Sequence, residues 1–402
     1  MSWQRKANYH AVKWGTLAHS EEKVQRAEFK GELRPSKVSP GLELYFNPTE
    51  RLYRQVVSYC TTFFLCGLVV VMVLAISIYK AILIQAGSHQ LGVTVCALIN
   101  TVQIIGMNIV YDKLALKLNE WENYQTTSEY ENALVVKKVG YQFVNYYISL
   151  FYIAFAKEHF EGCVQGDCMG ELRSSLWVYY LINVIFNFIE LGVPLISQKR
   201  GIAAELTKTQ GKSARTQMTY TEAQGKLGRI TFLDEYLEVV MNHGYIVFFC
   251  VAFPLGPLIY WVYNLAELKA DGYKFLYLCK RPFPERAGGI GVWNDVMNAL
   301  AVVGVICNIG LMVFTKNLFG LGIAARWGVF IVLEHIILLC VALYLCFAPK
   351  LSESKLYAAV KTALSRHKYL LKLKYYGATS EDGSHDYQGT APPRDPQMHS
   401  DE

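Results

Sequence analysis

Long apolar runs separated by short polar segments set the pattern of this chain. Eight runs approach the ~20 residues that a helix needs to cross a hydrocarbon core. They cover roughly 57–83, 91–111, 140–156, 175–196, 232–253, 255–279, 292–315 and 322–348. Several carry polar residues, which brackets the count at about seven to nine. The pattern therefore predicts an all-α, polytopic membrane bundle of about eight transmembrane helices over residues 57–348. Pro254-Leu-Gly-Pro257 breaks a long apolar stretch and predicts a hairpin between two spans. Residues 1–56, with turn signals at Pro35 and Pro40, read as a cytosolic lead-in too short and polar to bury its own core. No apolar stretch before Leu65 has the form of a signal peptide, so the first run serves as its own insertion signal. Residues 201–230, with Gly211, Gly225 and Gly228, read as a polar linker.

The end of the chain changes character. Residues 349–376 read as a basic amphipathic cytosolic helix, in which Leu356, Val360, Leu364 and Leu371 lie beside Lys355, Lys361, Arg366 and Lys368. Such a helix suits an anionic membrane surface, with a calmodulin target as the second reading. Residues 377–402 are polar and acidic and read as a disordered tail.

Composition supports the membrane reading. The chain is 52% hydrophobic and 18% charged, with mean hydropathy +0.20, whereas soluble domains average about 25% charged residues. The basic residues are unevenly placed. They concentrate in 1–56, in 118–139 with Lys137 and Lys138, in 199–230, in 280–287 and in 350–374. The intervening connections, near 86–90, 157–174 and 316–321, are short or hold few. The positive-inside rule then places both termini in the cytosol of a plasma-membrane or endoplasmic-reticulum protein. The net charge of +6 reflects this asymmetry and implies no nucleic-acid partner. Ten cysteines form no zinc spacing. Cys163 and Cys168 fall in a connection on the oxidising side, where a local disulfide is allowed. No nucleophile–base pair or phosphate loop suggests an enzyme.

Charge inside the spans is the candidate chemistry, because an ionisable residue there costs about 2.5–3.5 kcal/mol. Glu190 lies near the end of one span, Glu235 and Glu238 open the next, and Glu267 and Asp271 close the one after. Spacings of three and four put each pair on one helical face, and the charge-derived topology brings all five to one side at similar depth. Lys269 is two residues from Glu267, roughly opposite on its helix, and no arginine lies in these spans. Five carboxylates without a basic partner call for cations, and oxygen-only ligands indicate Ca²⁺, with two ions offsetting most of the charge. The competing reading is solvated charge at the membrane surface.

A polar stripe crosses the neighbouring spans. Gln142, Asn145, Tyr146 and Ser149 follow an i, i+3, i+4, i+7 pattern, extended by Tyr152. The preceding span contributes Asn100, Thr101, Gln103, Asn108, Tyr111 and Asp112. Such faces either line a hydrophilic groove or hold the bundle together by interhelical hydrogen bonds.

From about residue 50 to 376 the chain resembles the anoctamin family. The resemblance rests on Asn100-Thr-Val-Gln103, Trp121-Glu-Asn123, Phe143-Val-Asn145, Phe151-Tyr-Ile-Ala-Phe155 and Glu235-Tyr-Leu-Glu238. It continues through Phe253-Pro-Leu255, Glu267 with Asp271, Arg281-Pro282, Gly289-Ile-Gly-Val-Trp293 and Ala324-Ala-Arg326. It implies the C-terminal part of a ten-helix fold, in a homodimer whose subunits each hold a groove beside a two-calcium site. Glu190, Glu235, Glu238, Glu267 and Asp271 match the family's acidic ligands. The family's asparagine ligand falls four residues before its glutamate, where this chain has Phe186; Asn187 is three before. The family's flexible glycine is Tyr180 here, and Cys163 and Cys168 match an external cysteine pair. Family members carry a cytosolic domain and two spans ahead of the matched part, and Trp3-Gln-Arg-Lys6 resembles the end of the second span.

The expected function is calcium-activated transport, with membrane lipids and chloride or other small ions as partners. The neutral, Tyr- and Asn-rich stripe suits lipid headgroups somewhat better than an anion pore, which favours Lys and Arg facing its lumen. The alternative is a non-transporting calcium-sensing tether or regulatory subunit.

Overall fold

The computed structural model describes residues 25–35, 41–85, 89–163, 166–182, 184, 185, 227, 228, 232–281, 289–316, 320 and 322–347, with a few isolated positions elsewhere. Asn187, Glu190, most of the 201–230 linker, the basic helix and the tail lie outside the described residues.

A short antiparallel hairpin comes first, pairing β1 (Glu32–Pro35) with β2 (Leu42–Tyr45). Arg34 joins Glu43 at 2.7 Å across it and lies over the Tyr45 ring. Eight long helices follow among the described residues, one for each expected span, with a four-residue helix, Lys157–Phe160, between the third and fourth. They are α1 (Pro48–Gln85), α2 (His89–Trp121), α3 (Thr127–Phe151), α4 (168–182), α5 (Phe232–Phe249), α6 (Gly256–Tyr273), α7 (Val292–Gly310) and α8 (Ile323–Phe347). The connection around Pro254 is a tight turn between α5 and α6, as the proline pattern predicts. Three of the helices end in a π turn: α3 in Tyr152–Ala156, α6 in Lys274–Leu278 and α7 in Leu311–Thr315. Two of these turns are tied together, since the Thr315 hydroxyl donates to the Ala154 carbonyl at 2.6 Å.

Pro48–Leu83, Val292–Thr315 and Ile323–Tyr344 are long and apolar enough by length and composition alone to cross a membrane. The other helices carry the polar side chains described below. Helix α1 starts where Pro48 fixes the first φ and the Asn47 side chain accepts from Thr49 N–H at 3.0 Å. Its 38 residues span about 57 Å, roughly twice a ~30 Å hydrocarbon core. The helix therefore continues well beyond its apolar run.

Helix α3 is the central element. One of its faces joins α4, α5 and α7 in a core built on Tyr147, Leu150, Leu172, Leu176, Phe248 and Leu300. Another packs on α1 and α2 through Tyr141, Leu134, Tyr111 and Val69, with Tyr111 and Tyr141 stacked at 3.7 Å. Helices α5 and α7 approach closely at Gly304, where a Cβ would lie 2.2 Å from Val247 Cγ1. Next to that contact Asn308 donates to the Val247 carbonyl at 2.6 Å and accepts from Val251 N–H, closing the end of α5.

The lead-in departs from expectation. Its segment 25–30 docks on the α2–α3 turn, where Asn123 adopts positive φ and exchanges two hydrogen bonds with the backbone of Lys30. Arg26 N–H donates to the Gln125 carbonyl, the Arg26 guanidinium covers the Tyr130 ring, and Phe29 is buried. A polar segment acquires a fixed position because the neighbouring turn supplies the missing backbone partners.

Candidate functional site

The acidic residues that the structure describes lie on the α5–α6 hairpin. Glu235 and Glu238 occupy the first turns of α5, and Glu267 and Asp271 the last turns of α6. Because the two helices run antiparallel, these ends meet. The Tyr263 hydroxyl lies within hydrogen-bonding reach of both Glu238, at 3.4 Å, and Glu267. Tyr260 donates to the Val239 carbonyl at 3.2 Å. The structure thus draws Glu238 and Glu267 together around one tyrosine.

The sequence reading found no basic partner for this cluster, and the structure corrects that. Lys274 donates to Glu235 at 2.6 Å, with both side chains mostly buried. It opens the π turn after Asp271, three residues on, so it falls on the acidic face. That spacing was the available signal. The donor set, all carboxylate oxygens, fits a hard divalent cation. Among the described residues no three His, Cys, Asp or Glu side chains converge closely enough to hold one, and the Lys274 ammonium sits against Glu235.

The polar stripe divides into two roles. Gln103 donates to Asn145 at 3.0 Å, and Asn145 donates to the Ile104 carbonyl and, at 2.8 Å, to Asn108. Gln103 and Asn145 line neither of the cavities described next. They form an interhelical seam, the second of the two readings that the sequence leaves open. Of the remaining stripe residues, Tyr111 is buried in the α1–α2–α3 core, and the others border open space. Asn108, Gln142 and Tyr146 line a cavity of about 390 Å³ between α2, α3, α4 and α5. Asn100 and Ser149 line a smaller one of about 150 Å³ nearer the opposite end of the bundle.

Tyr179 and Thr101 belong to both cavities. The Tyr179 hydroxyl accepts from Asn100 at 2.7 Å and lies 3.2 Å from Ser149 Oγ. One tyrosine on α4 therefore ties α2 to α3 at the division between the two cavities. Tyr179 did not belong to the polar stripe read from the sequence, nor did Asp234 and Tyr245, which line the larger cavity; Asp112, which did, lines it as well.

Buried charge fixes the end of the bundle near the carboxylates. Lys137 and Glu122 form an ion pair at 2.5 Å with both side chains fully buried, and Asn119 accepts from Lys137 at 2.8 Å. Tyr124 donates to the other Glu122 oxygen at 2.5 Å. Burial pushes the Lys137 ammonium below its usual range, against the pull of Glu122. Lys138 bridges Asp112 at 3.1 Å and Asp234 at 3.0 Å, linking α2 to α5 across α3. These two lysines, counted above in a basic connecting segment, are buried partners of carboxylates.

At the opposite end Glu171 holds Lys80 of α1 at 2.6 Å and also bonds Lys157, just past the α3 π turn. Burial raises the Glu171 pKa, but the two ammonium groups outweigh it and hold the carboxyl below the usual range. Cys163 and Cys168 are disulfide-bonded beside this clamp.

The model of the family described as "Anoctamin: Calcium-activated chloride channel" matches residues 1–361. Anoctamin-4 of Homo sapiens is 29% identical over 353 residues, covering 78% of this chain and 37% of the relative. Anoctamin-3 of Mus musculus is 28% identical over 359 residues, with 78% and 35% covered. Anoctamin-7 of Homo sapiens is 28% identical over 349 residues, with 78% and 37% covered. The chain spans little more than a third of the length of these relatives. With a helical bundle in which polar cavities adjoin a carboxylate hairpin, and a family match over most of its length, the chain belongs to the anoctamin family.

Proposed function

We propose that this chain forms the transport path of a calcium-activated membrane protein, moving phospholipid headgroups, small ions or both along the α2–α5 groove. The observation that carries this reading is the pair of cavities, each lined in part by polar side chains and divided by the Tyr179 hydroxyl, with Glu238 in the wall of the larger one. In this reading the carboxylate end faces the cytosol, and the protein works in a plasma or endoplasmic-reticulum membrane as a homodimer. Glu235, Glu238, Glu267 and Asp271, with Glu190 and Asn187 from the continuation of the α4 sequence, would hold calcium. The ion supplies positive charge where these carboxylates otherwise repel one another. The protein's own groups do the rest: Lys274 holds Glu235, Tyr263 holds Glu238 and Glu267, and Tyr179 keeps the cavities apart.

Reconstitution in liposomes tests the reading. Headgroup exchange or ion flux should rise with calcium and collapse in Glu238→Gln or Asp271→Asn. Calcium binding without exchange or flux would support the tether or regulatory-subunit reading, and absence of calcium binding would remove the site.

A further inference from the structure

The larger cavity carries information about its ligand beyond being polar. Asp112 of α2 and Asp234 and Glu238 of α5 line it, and among the described residues none that lines it is basic. Among the described residues the cation paired with this wall is Lys138, whose buried ammonium is bonded to Asp112 and Asp234. Among the described residues, Asp112 and Asp234 against that one ammonium leave this part of the wall negative, with Glu238 left out of the count. A chloride ion entering this space meets repulsion, and a cation meets attraction, strengthened by the low dielectric of the surroundings.

A second observation is independent of the charge. Tyr245 is 2% exposed and lines the same cavity, and its hydroxyl has no hydrogen-bond partner among the described residues. A buried, unsatisfied hydroxyl costs on the order of a hydrogen bond unless something supplies the partner. The Tyr245 ring packs against Tyr146 and Tyr179, at centroid distances of 6.3 and 5.3 Å, so three tyrosines border the space. Aromatic rings attract ammonium groups. The carboxylates, the phenolic oxygen of Tyr245 and the amide oxygen of Gln142 are acceptors suited to the three N–H donors of a primary ammonium.

We propose that this cavity binds a primary ammonium group, carried by a free small amine or by the amine of a phospholipid headgroup, in preference to chloride. The proposal rests on the groove reading above for its role in transport, but binding itself requires no transport. Equilibrium binding of radiolabelled ethanolamine to the detergent-solubilised full chain, without calcium, tests it directly. Saturable binding is expected, competed by methylamine and unchanged when chloride is replaced by gluconate. Tyr245→Phe should weaken ethanolamine about fivefold, the effect of one lost hydrogen bond, and leave tetramethylammonium, which has no N–H, unaffected. Asp234→Asn, which also leaves Lys138 with one partner fewer, should weaken both cations by about tenfold. Should that variant fail to fold, Tyr245→Phe decides alone.

In proteoliposomes, faster exchange of phosphatidylethanolamine than of phosphatidylglycerol identifies the lipid headgroup as the source. Equal rates, with ethanolamine binding intact, identify a free amine. Absence of saturable ethanolamine binding together with equal exchange overturns the proposal, as does binding that Tyr245→Phe leaves unchanged. Ethanolamine binding without calcium-dependent exchange or flux would instead refute the groove reading and leave the ammonium site standing.

Discussion

Lys274 occupies a position where calcium would need Glu235, so replacing it should raise calcium affinity. The ammonium lies 2.6 Å from Glu235 Oε1, with the side chains 15% and 18% exposed. A charge-assisted hydrogen bond of this kind is worth about 1.5–3 kcal/mol net when buried, and partial solvent access reduces it to roughly 1–2 kcal/mol. A divalent cation claiming Glu235 must first break this bond. Lys274→Met removes that cost, so the apparent calcium dissociation constant should fall by about 5- to 30-fold. The same change leaves Glu235 unpaired when calcium is absent. The variant should therefore melt at a lower temperature than the parent in chelator and recover with calcium. Lys274→Arg, which keeps the charge, should bind calcium much as the parent does. Equilibrium binding of radioactive calcium to the purified protein reads the effect without any transport assay. Unchanged or weakened affinity in Lys274→Met would refute the reasoning, because Lys274 would then be a support for the site and not a competitor within it.

Other positions give independent checks. Tyr179→Phe deletes two hydrogen bonds at the division between the cavities, together about 1–3 kcal/mol. Calcium-free exchange or flux in liposomes should rise about fivefold or more, and an unchanged basal rate would show that Tyr179 is no latch. Lys137→Met strands the fully buried Glu122 carboxylate and should cost about 3–5 kcal/mol in stability. The double change with Glu122→Gln should melt closer to the parent than Lys137→Met does. For Glu171, whose carboxyl is held below the usual range, the stabilisation is fully present above the ordinary glutamate pKa. It is lost as pH falls through the depressed value. The melting difference between the parent and Glu171→Gln should therefore persist at pH 5 and above and shrink below about pH 4; a difference independent of pH would refute the clamp.

The positions of the eight helices were legible because burying backbone in hydrocarbon requires continuous helix, and continuous helix requires long apolar runs. Their ends were not. Helix α1 begins nine residues before its apolar run, at an Asn47-Pro48 start whose capping chemistry is ordinary. Helix α2 continues past Asp112 to Trp121 because Lys138 and the Glu122–Lys137 pair give its charged end buried partners. Those partners come from α3, and no spacing within α2 could announce them. The stripe on α3 was legible as a polar face, but the sequence could not apportion it. Gln103 and Asn145 are hydrogen-bonded to each other, whereas Asn108 and Gln142 border open space. Lys274 was within reach of the same spacing argument that paired Glu267 with Asp271.

In the proposed reading, calcium and the groove need no long path between them. Glu238 accepts from Tyr263, in the carboxylate hairpin, and also lines the larger cavity. One side chain therefore belongs to both places. Any event that neutralises Glu238 alters the charge of the cavity wall directly and releases the hydroxyl that Glu238 shares with Glu267. The neighbouring wall residue Asp234 is held by Lys138, which also holds Asp112 on α2, so a change at the start of α5 reaches the far wall through one lysine. Coupling through shared residues of this kind places the physical link between the sites in a few named contacts, where double-mutant cycles can measure it. A cycle pairing Glu238→Gln with Asp112→Asn should show an interaction energy in groove occupancy. Additive effects would mean that the two sites communicate by another route.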